Sequence, residues 1–551
     1  MTRLAVLLIL LVSGCATIPD SGPVNKVTEP VGSRFNTQFT PAGPSPGDSP
    51  TEIVDGFLEA MLSFPADSTI AAAFLTPAAE EDWQIARRTT VYDSVLVKGT
   101  SEDEGQGLVT VQFARSAVLD EQGRFTSSQG AVDHSFRLSE VNGEWRITNP
   151  PVGKYVSSSY FATNYATRSL YFFNKTGTTL ISDPVHVMES DNTPTQLLTA
   201  LFAGASKVRN SQAVSFIAQD VSLRGTVEVV DGTALVRIKQ PLNTFANPEL
   251  AATQIAATLL PLPRINSVRV DGSDRDFKIT SVSKFAAPPQ PESVFAVLNG
   301  QLVTLDGAQS KVVPGFVKLK SAGIAVHKKA KAVAVLNSAR NEVSIHDIAD
   351  GEVKSTIQGE AIIKPVFDSA EQLWILDRVK GVTSVRLVKG AETQNIGAAD
   401  LLGFKIDSFA VSPDLSRYAF TGQQSGKVVG VYVGAINSDS KGRVTSLGLP
   451  AEVRVQGASQ FADISWLDET HLSLLATVDQ TGRQPLVIGI DGSLVSFRNI
   501  PAAPANGAIA TVLLGLGDKP AYIDVVGGTW FYTSNENWRL LQDVHLATRA
   551  W

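Results

Sequence analysis

Cysteine occurs once in the 551-residue chain, at Cys15, so no intramolecular disulfide, cysteine-cluster zinc site or iron–sulfur cluster is available to it. Histidine is nearly as scarce. The six, His134, His186, His327, His346, His471 and His545, never stand at His-x-x-x-His spacing, and no Gly-x-Ser-x-Gly elbow occurs. Basic excess is missing too: 47 Lys and Arg face 54 Asp and Glu, net −7, which leaves no overall positive field for phosphates. No nucleic-acid partner is expected. The apolar run Leu4–Val12 has nine residues, against the ~20 needed to cross a bilayer, and no later stretch approaches that length without charges or turn residues. Charged residues are 18%, below the ~25% usual in soluble domains, while the hydrophobic share of 43% is ordinarily globular. At roughly 100–200 residues per domain, such a length predicts three to four domains.

What is present begins with Arg3, the apolar run, and Val12-Ser13-Gly14-Cys15. This resembles a bacterial lipobox, in which a peptidase cuts before a cysteine that already carries diacylglycerol. Residues 1–14 are read as a signal peptide and Cys15 as the lipidation site. Two or three acyl chains give stable anchoring, because each buried CH₂ contributes ~0.8 kcal/mol and one chain alone is marginal. The expected location is the outer face of the plasma membrane. Residues 15–48, with six prolines and little apolar periodicity, read as a tether of about 35 residues, with a reach of roughly 5–6 Å × √n, near 30 Å.

Three folded segments follow. Residues 49–155 open on a capping box, Ser49-Pro50-Thr51-Glu52, ahead of Ile53, Val54, Phe57, Leu58, Met61 and Leu62 at helical spacing. Shorter helical patterns cover 70–75 and 78–86, and strands are predicted near 91–98, 108–118, 131–141 and 144–148. Helices followed by an antiparallel sheet resemble the cystatin-like α+β cone. Residues 156–285 contain apolar strands around Leu170–Phe173 and Pro184–Val187, and a helix for which Thr193 is read as cap and Pro194 as first position. An Asp231-Gly232 hairpin, a helix from Asn247-Pro248 and a strand at 265–272 complete it. That order resembles the α+β GerMN domain of envelope proteins, a binding or assembly module with no catalytic residues to transfer.

Beyond the Pro-rich joint at 285–291 the chain repeats. Paired buried strands recur at Ala325/Val333, Val366/Leu373, Phe409/Tyr418 and Ile464/Leu472, with a fifth copy beginning near Gly507–Ala510. A period of roughly 40–55 residues is that of a propeller blade. Residues 286–551 are therefore read as an all-β propeller of five or six blades, six if the strands after Pro291 pair with the C-terminal end.

Several motifs invite chemistry. Lys175-Thr176-Gly177, Ser190-Asp191-Asn192 and Ser281-Val282-Ser283-Lys284 are the elements of penicillin-recognising enzymes, but in reversed order, and the last leads into a proline joint instead of opening a helix. Gly422–Val428 is one residue short of a phosphate loop and lacks the Ser or Thr after Lys427, so a hairpin turn is expected. Asp133 and His134 are adjacent on a strand and point to opposite faces. No catalytic residue, metal ligand or cofactor is assigned, and no ligand-binding residue is identified. Charge is uneven: residues 51–155 carry 8 basic against 16 acidic side chains, net −8.

Lipobox, cystatin-like module, GerMN domain and propeller, in that order, resemble the actinobacterial LpqB lipoprotein family. The resemblance implies a non-catalytic accessory that binds the extracellular part of an MtrB-like sensor histidine kinase and influences two-component signalling in envelope homeostasis and division. The alternative is an envelope protein that binds wall fragments in the propeller channel; a hydrolase comes third. A flat apolar patch on either N-terminal domain favours the kinase contact, and a polar concave cluster on the propeller axis favours ligand binding.

Overall fold

The computed structural model describes residues 39–64, 67–128, 130–206, 212–455, 457–478, 482–495, 512–513, 521–525, 527–532 and 538–551. Cys15 and the signal sequence lie outside them. Within the stretch read as tether, Phe39 already exchanges two backbone hydrogen bonds of 2.9 Å with Phe64.

Helix α1 (Pro50–Ala60) starts at the expected box: Ser49 N–H donates to the Glu52 carboxylate at 2.7 Å, and Ser49 Oγ accepts from Glu52 N–H at 3.4 Å. Its Ile53, Val54, Phe57 and Leu58 are buried. Helices α2 (Thr69–Ala72) and α3 (Pro77–Asp82) are shorter than their sequence patterns. Trp83 ends the second of these, turning to extended backbone so that its ring packs 5.4 Å from Phe57 and its indole N–H donates to Pro151 O at 3.1 Å. The sheet comprises β1 (Thr89–Asp103), β2 (Gln106–Leu119), β3 (Phe125–Ser127), β4 (Ala131–Val141), β5 (Glu144–Ile147) and β6 (Lys154–Ser157). Its order is β5-β4-β2-β1-β6, with β3 folded back on β2. Phe57, Phe113, Phe136 and Tyr155 fill the space between helices and sheet, so the cone holds a packed core.

A short helix α4 (Ser158–Asn164) leads into the second domain: β7 (Tyr165–Phe173), β8 (Leu180–Met188), α5 (Thr193–Phe202), β9 (Glu228–Val230), β10 (Thr233–Arg237), α6 (Pro248–Leu259), β11 (Ser267–Asp271) and β12 (Asp276–Ile279). Strands β7 and β8 pair with each other, and the rest form the sheet β12-β11-β10-β9, in which the parallel β10 and β11 flank the α6 crossover. Thr193 is not the cap of α5. Asn192 holds that position, and the Thr193 hydroxyl accepts from Ser190 N–H at 2.9 Å, closing the preceding turn.

Among the described residues the C-terminal region forms a β-propeller of six blades. Blade one combines Val294–Leu298, Gln301–Asp306 and Gln309–Val312 with the C-terminal strand Val544–Arg549. Pairing of Val294 with Arg549 and of Leu298 with Val544 closes the ring, so the terminal strands do form their own blade. Blade two runs from Ser321 to Gln358, blade three from Val366 to Ile396, blade four from Phe404 to Val453, blade five from Ala458 to Val495 and blade six from Val512 to Gln542. The repeat start near Gly507–Ala510 lies outside the described residues. Apolar side chains of neighbouring blades interlock, for example Val303 and Ala547 of blade one with Tyr522 and Phe531 of blade six. Such interlocking makes the ring, and no single blade, the unit of stability.

Candidate functional site

The motifs that invited chemistry are dispersed. Lys175-Thr176-Gly177 forms the β7–β8 turn, while Ser190-Asp191-Asn192 follows the other end of β8, whose nine residues span about 27 Å at ~3.4 Å per residue. Ser281 and Ser283 share a hydroxyl contact of 3.0 Å, and the Lys284 ammonium sits over the Phe285 ring. No reacting constellation links the three. Gly422 lies inside a strand and Ser425–Val428 is the hairpin turn after it. His134 Nε2 lies 3.1 Å from Asn149 O, whereas Asp133 accepts from Gln112 Nε2 at 2.8 Å, so the neighbours serve opposite faces. Among the described residues no group of three His, Cys, Asp or Glu side chains is placed to hold a metal ion.

The concentration of buried polar chemistry lies where the three domains meet. Asp120–Phe125, between β2 and β3, reaches into the second domain: Arg124 Nε donates to Asp183 at 3.2 Å and its guanidinium also bonds Gly204 O. Gly123 O accepts from His186 N–H at 2.7 Å. Only glycine suits that position, because its φ is +81° and a Cβ would stand 2.6 Å from His186 O. His186 is packed between Phe125 and Phe161, with ring centroids 5.3 and 5.4 Å away. Its Nε2 lies 2.9 Å from Asp491 Oδ2, in the last turn of blade five. Burial opposes ionisation of Asp491. The His186 hydrogen bond and charge, with the Ser493 hydroxyl and N–H, outweigh it and bring the carboxyl down to about 2.

A second anchor stands beside the first. In Ser412-Pro413-Asp414, Asp414 Oδ1 accepts from the Ser412 and Ser416 hydroxyls and from Ser416 N–H. That turn orients Arg417, fully buried, whose guanidinium donates to Glu469 O at 3.2 Å and to Ser182 O of the second domain. Burial, reinforced by Asp414, pushes the Glu469 carboxyl up to about 7, although Arg417 pulls the other way. The sequence singled out His186 only as a strand residue. Arg124, Asp183, Arg417, Glu469 and Asp491 carry no local signal.

A cavity of about 1020 Å³ opens between the β7–β8 turn and blades three and four. Two side chains of its lining also join the second domain to blade four: Lys175 Nζ donates to Ser438 O at 2.9 Å, and Gln212 Nε2 donates to Asn437 Oδ1 at 2.7 Å. Lys389, Lys441 and Arg443 bring positive charge, and Glu392 and Asp414 negative charge, to walls rich in threonine and amide groups.

On the first domain, Val95, Leu96 and Val97 of β1 are 45%, 58% and 38% exposed in an otherwise acidic module, with Val95 and Val97 on one face of the strand and Leu96 on the other. No helix among the described residues is long and apolar enough to cross a membrane.

Family models match all three regions: "Lipoprotein LpqB, N-terminal domain" over residues 43–162, "Sporulation and spore germination" over 169–276, and "Lipoprotein LpqB beta-propeller domain" over 300–544. Lipoprotein LpqB of Cutibacterium acnes is 25% identical over 579 residues, covering 97% of this chain and 96% of that one. Lipoprotein LpqB of Rhodococcus opacus is 26% identical over 542 residues, covering 91% and 89%. TolB from Acinetobacter baumannii overlays 52% of this chain and 83% of its own at 13% identity, with a TM-score of 0.34. With all three domain types in order and relatives of one name along nearly the whole length, the chain belongs to the LpqB lipoprotein family.

Proposed function

We propose that this protein is a non-catalytic envelope lipoprotein, anchored through acylated Cys15 on the outer face of the plasma membrane. It binds the extracellular part of an MtrB-like sensor histidine kinase and modulates that kinase's signalling in envelope homeostasis and division. The observation that carries the reading is the exposed apolar pair Val95 and Val97, side by side on one face of β1 in the module nearest the anchor, since exposed apolar surface of this kind marks interaction sites. The junction supports it as well. Buried ion pairs bind the three domains together, which suits a scaffold that presents a fixed surface. Two proteins held on one membrane meet at raised effective concentration, so modest affinity suffices. The test is co-purification of the full-length lipoprotein with the kinase from membranes. Recovery of the kinase in excess of unrelated membrane proteins is expected, and its absence contradicts the reading.

The ligand-binding alternative is favoured by one observation, the cavity between the second domain and blades three and four. It lies on that domain boundary and not where the sequence reading placed a ligand, in the propeller channel. Soluble wall fragments that bind the purified chain, and lose binding in Lys441→Glu, would support it.

A further inference from the structure

Strand β1 is an unusual edge. It pairs with β2 along its whole length, yet its other neighbour, β6, covers only Thr89–Tyr92. Among the described residues no strand lies beside Ser94–Asp103 on that side. Long edges that carry apolar side chains are normally blunted, because their free N–H and C=O groups template another strand. Here the register of β1 on β2 shifts at Tyr92/Ser94 and again at Val97/Gly99, leaving Ser94–Val97 and Gly99–Asp103 as regular segments.

The pairing shows what such an edge would accept. Val95 and Val97 lie opposite Phe113 and Val111, both fully buried, so they continue the core-facing row of the sheet outward. Leu96 lies opposite Gln112, on the other face. An added strand would place alternate residues beside Val95 and Val97, extending the apolar row by one column. Charge narrows the partner further. Glu102, Asp103 and Glu104 stand at the tip of the same hairpin, in a module of net −8, so a second copy of this chain meets repulsion and a basic segment meets attraction.

We infer that Ser94–Asp103 is a strand-addition site, which receives an extended protein segment with alternating apolar residues and flanking Lys or Arg. This inference rests on the kinase reading and names the surface and mode by which the kinase binds.

Hydrogen exchange tests it, on the full-length lipidated chain in nanodiscs, with and without the full-length kinase. Amides within 94–103 should exchange at least tenfold more slowly in the complex. Val95→Lys/Val97→Lys, at positions already exposed, should keep the free chain's melting temperature and weaken binding at least tenfold. Glu102→Lys/Asp103→Lys/Glu104→Lys should weaken binding and flatten its salt dependence. Kinase binding with protection elsewhere, and unaffected by these substitutions, overturns this inference and leaves the kinase reading standing. Protection of 94–103 in the chain alone, either rising with concentration or removed by deleting residues 16–38, assigns the edge to a second copy or to this chain's own N-terminal segment and also overturns it. Failure of the kinase to bind at all overturns both.

Discussion

Nε2 of His186, on β8, lies 2.9 Å from Oδ2 of Asp491 in blade five, and both side chains are shut away from water. Their sequence separation of 305 makes this pair a clasp between the second domain and the propeller. An ionised carboxylate only accepts, so Nε2 carries the shared proton.

Removing one partner strands the other. His186→Ala leaves Asp491 buried without that donor and should destabilise the chain by about 3 kcal/mol, whereas replacing both partners by apolar residues should cost less. Denaturant unfolding monitored separately on the second domain and the propeller checks this. A loss below about 0.5 kcal/mol would mean the pair contributes nothing.

Asp491 also fixes an acid limit. Its native pKa is lowered from 3.8 to about 2, so it favours the folded state wherever the unfolded carboxyl is ionised, and that contribution disappears as pH falls through the native value. About 2 kcal/mol should be lost between pH 4 and pH 2, and Asp491→Asn should lose less over the same range.

Glu469 acts in the opposite sense. Raised from 4.5 to about 7 by burial, it binds a proton more tightly in the native chain than in the unfolded one, so stability should fall as pH rises from about 4.5 to 7 and then level off. The full effect is about 3 kcal/mol. Asp524, buried in blade six and also raised to about 7, adds a second contribution of the same sign. Melting temperatures at pH 5 and pH 7.5 should therefore differ less in Glu469→Gln than in the wild type, with the remainder removed by Asp524→Asn.

Local chemistry was legible in the sequence wherever a turn or a buried strand had to be built from adjacent residues. Ser49 and Glu52 announced α1, Asp231-Gly232 announced a hairpin, and the apolar inner strands of blades two to five stood out as repeats. Outer strands such as Val353–Gln358 and Glu392–Ile396 did not, because their largely exposed, polar side chains carry no strand periodicity. Nor did β6, a four-residue parallel pairing just after Pro150-Pro151, or β12 at the sheet edge. The junction was invisible for another reason. Arg417 meets Ser182 across 235 residues, and no local pattern encodes such a meeting.

Lipidation of Cys15 is tested directly. Cys15→Ala should abolish fatty-acid labelling and block normal processing. Continued labelling would assign the anchor to another residue.

The most direct test of the account is phosphorylation of the response regulator in a clean deletion, at rest and under envelope stress, with kinase abundance measured alongside. Regulator phosphorylation should change at unchanged kinase level, and should be restored by the lipidated chain and restored poorly by Val95→Lys/Val97→Lys. Unaltered phosphorylation under both conditions would contradict it.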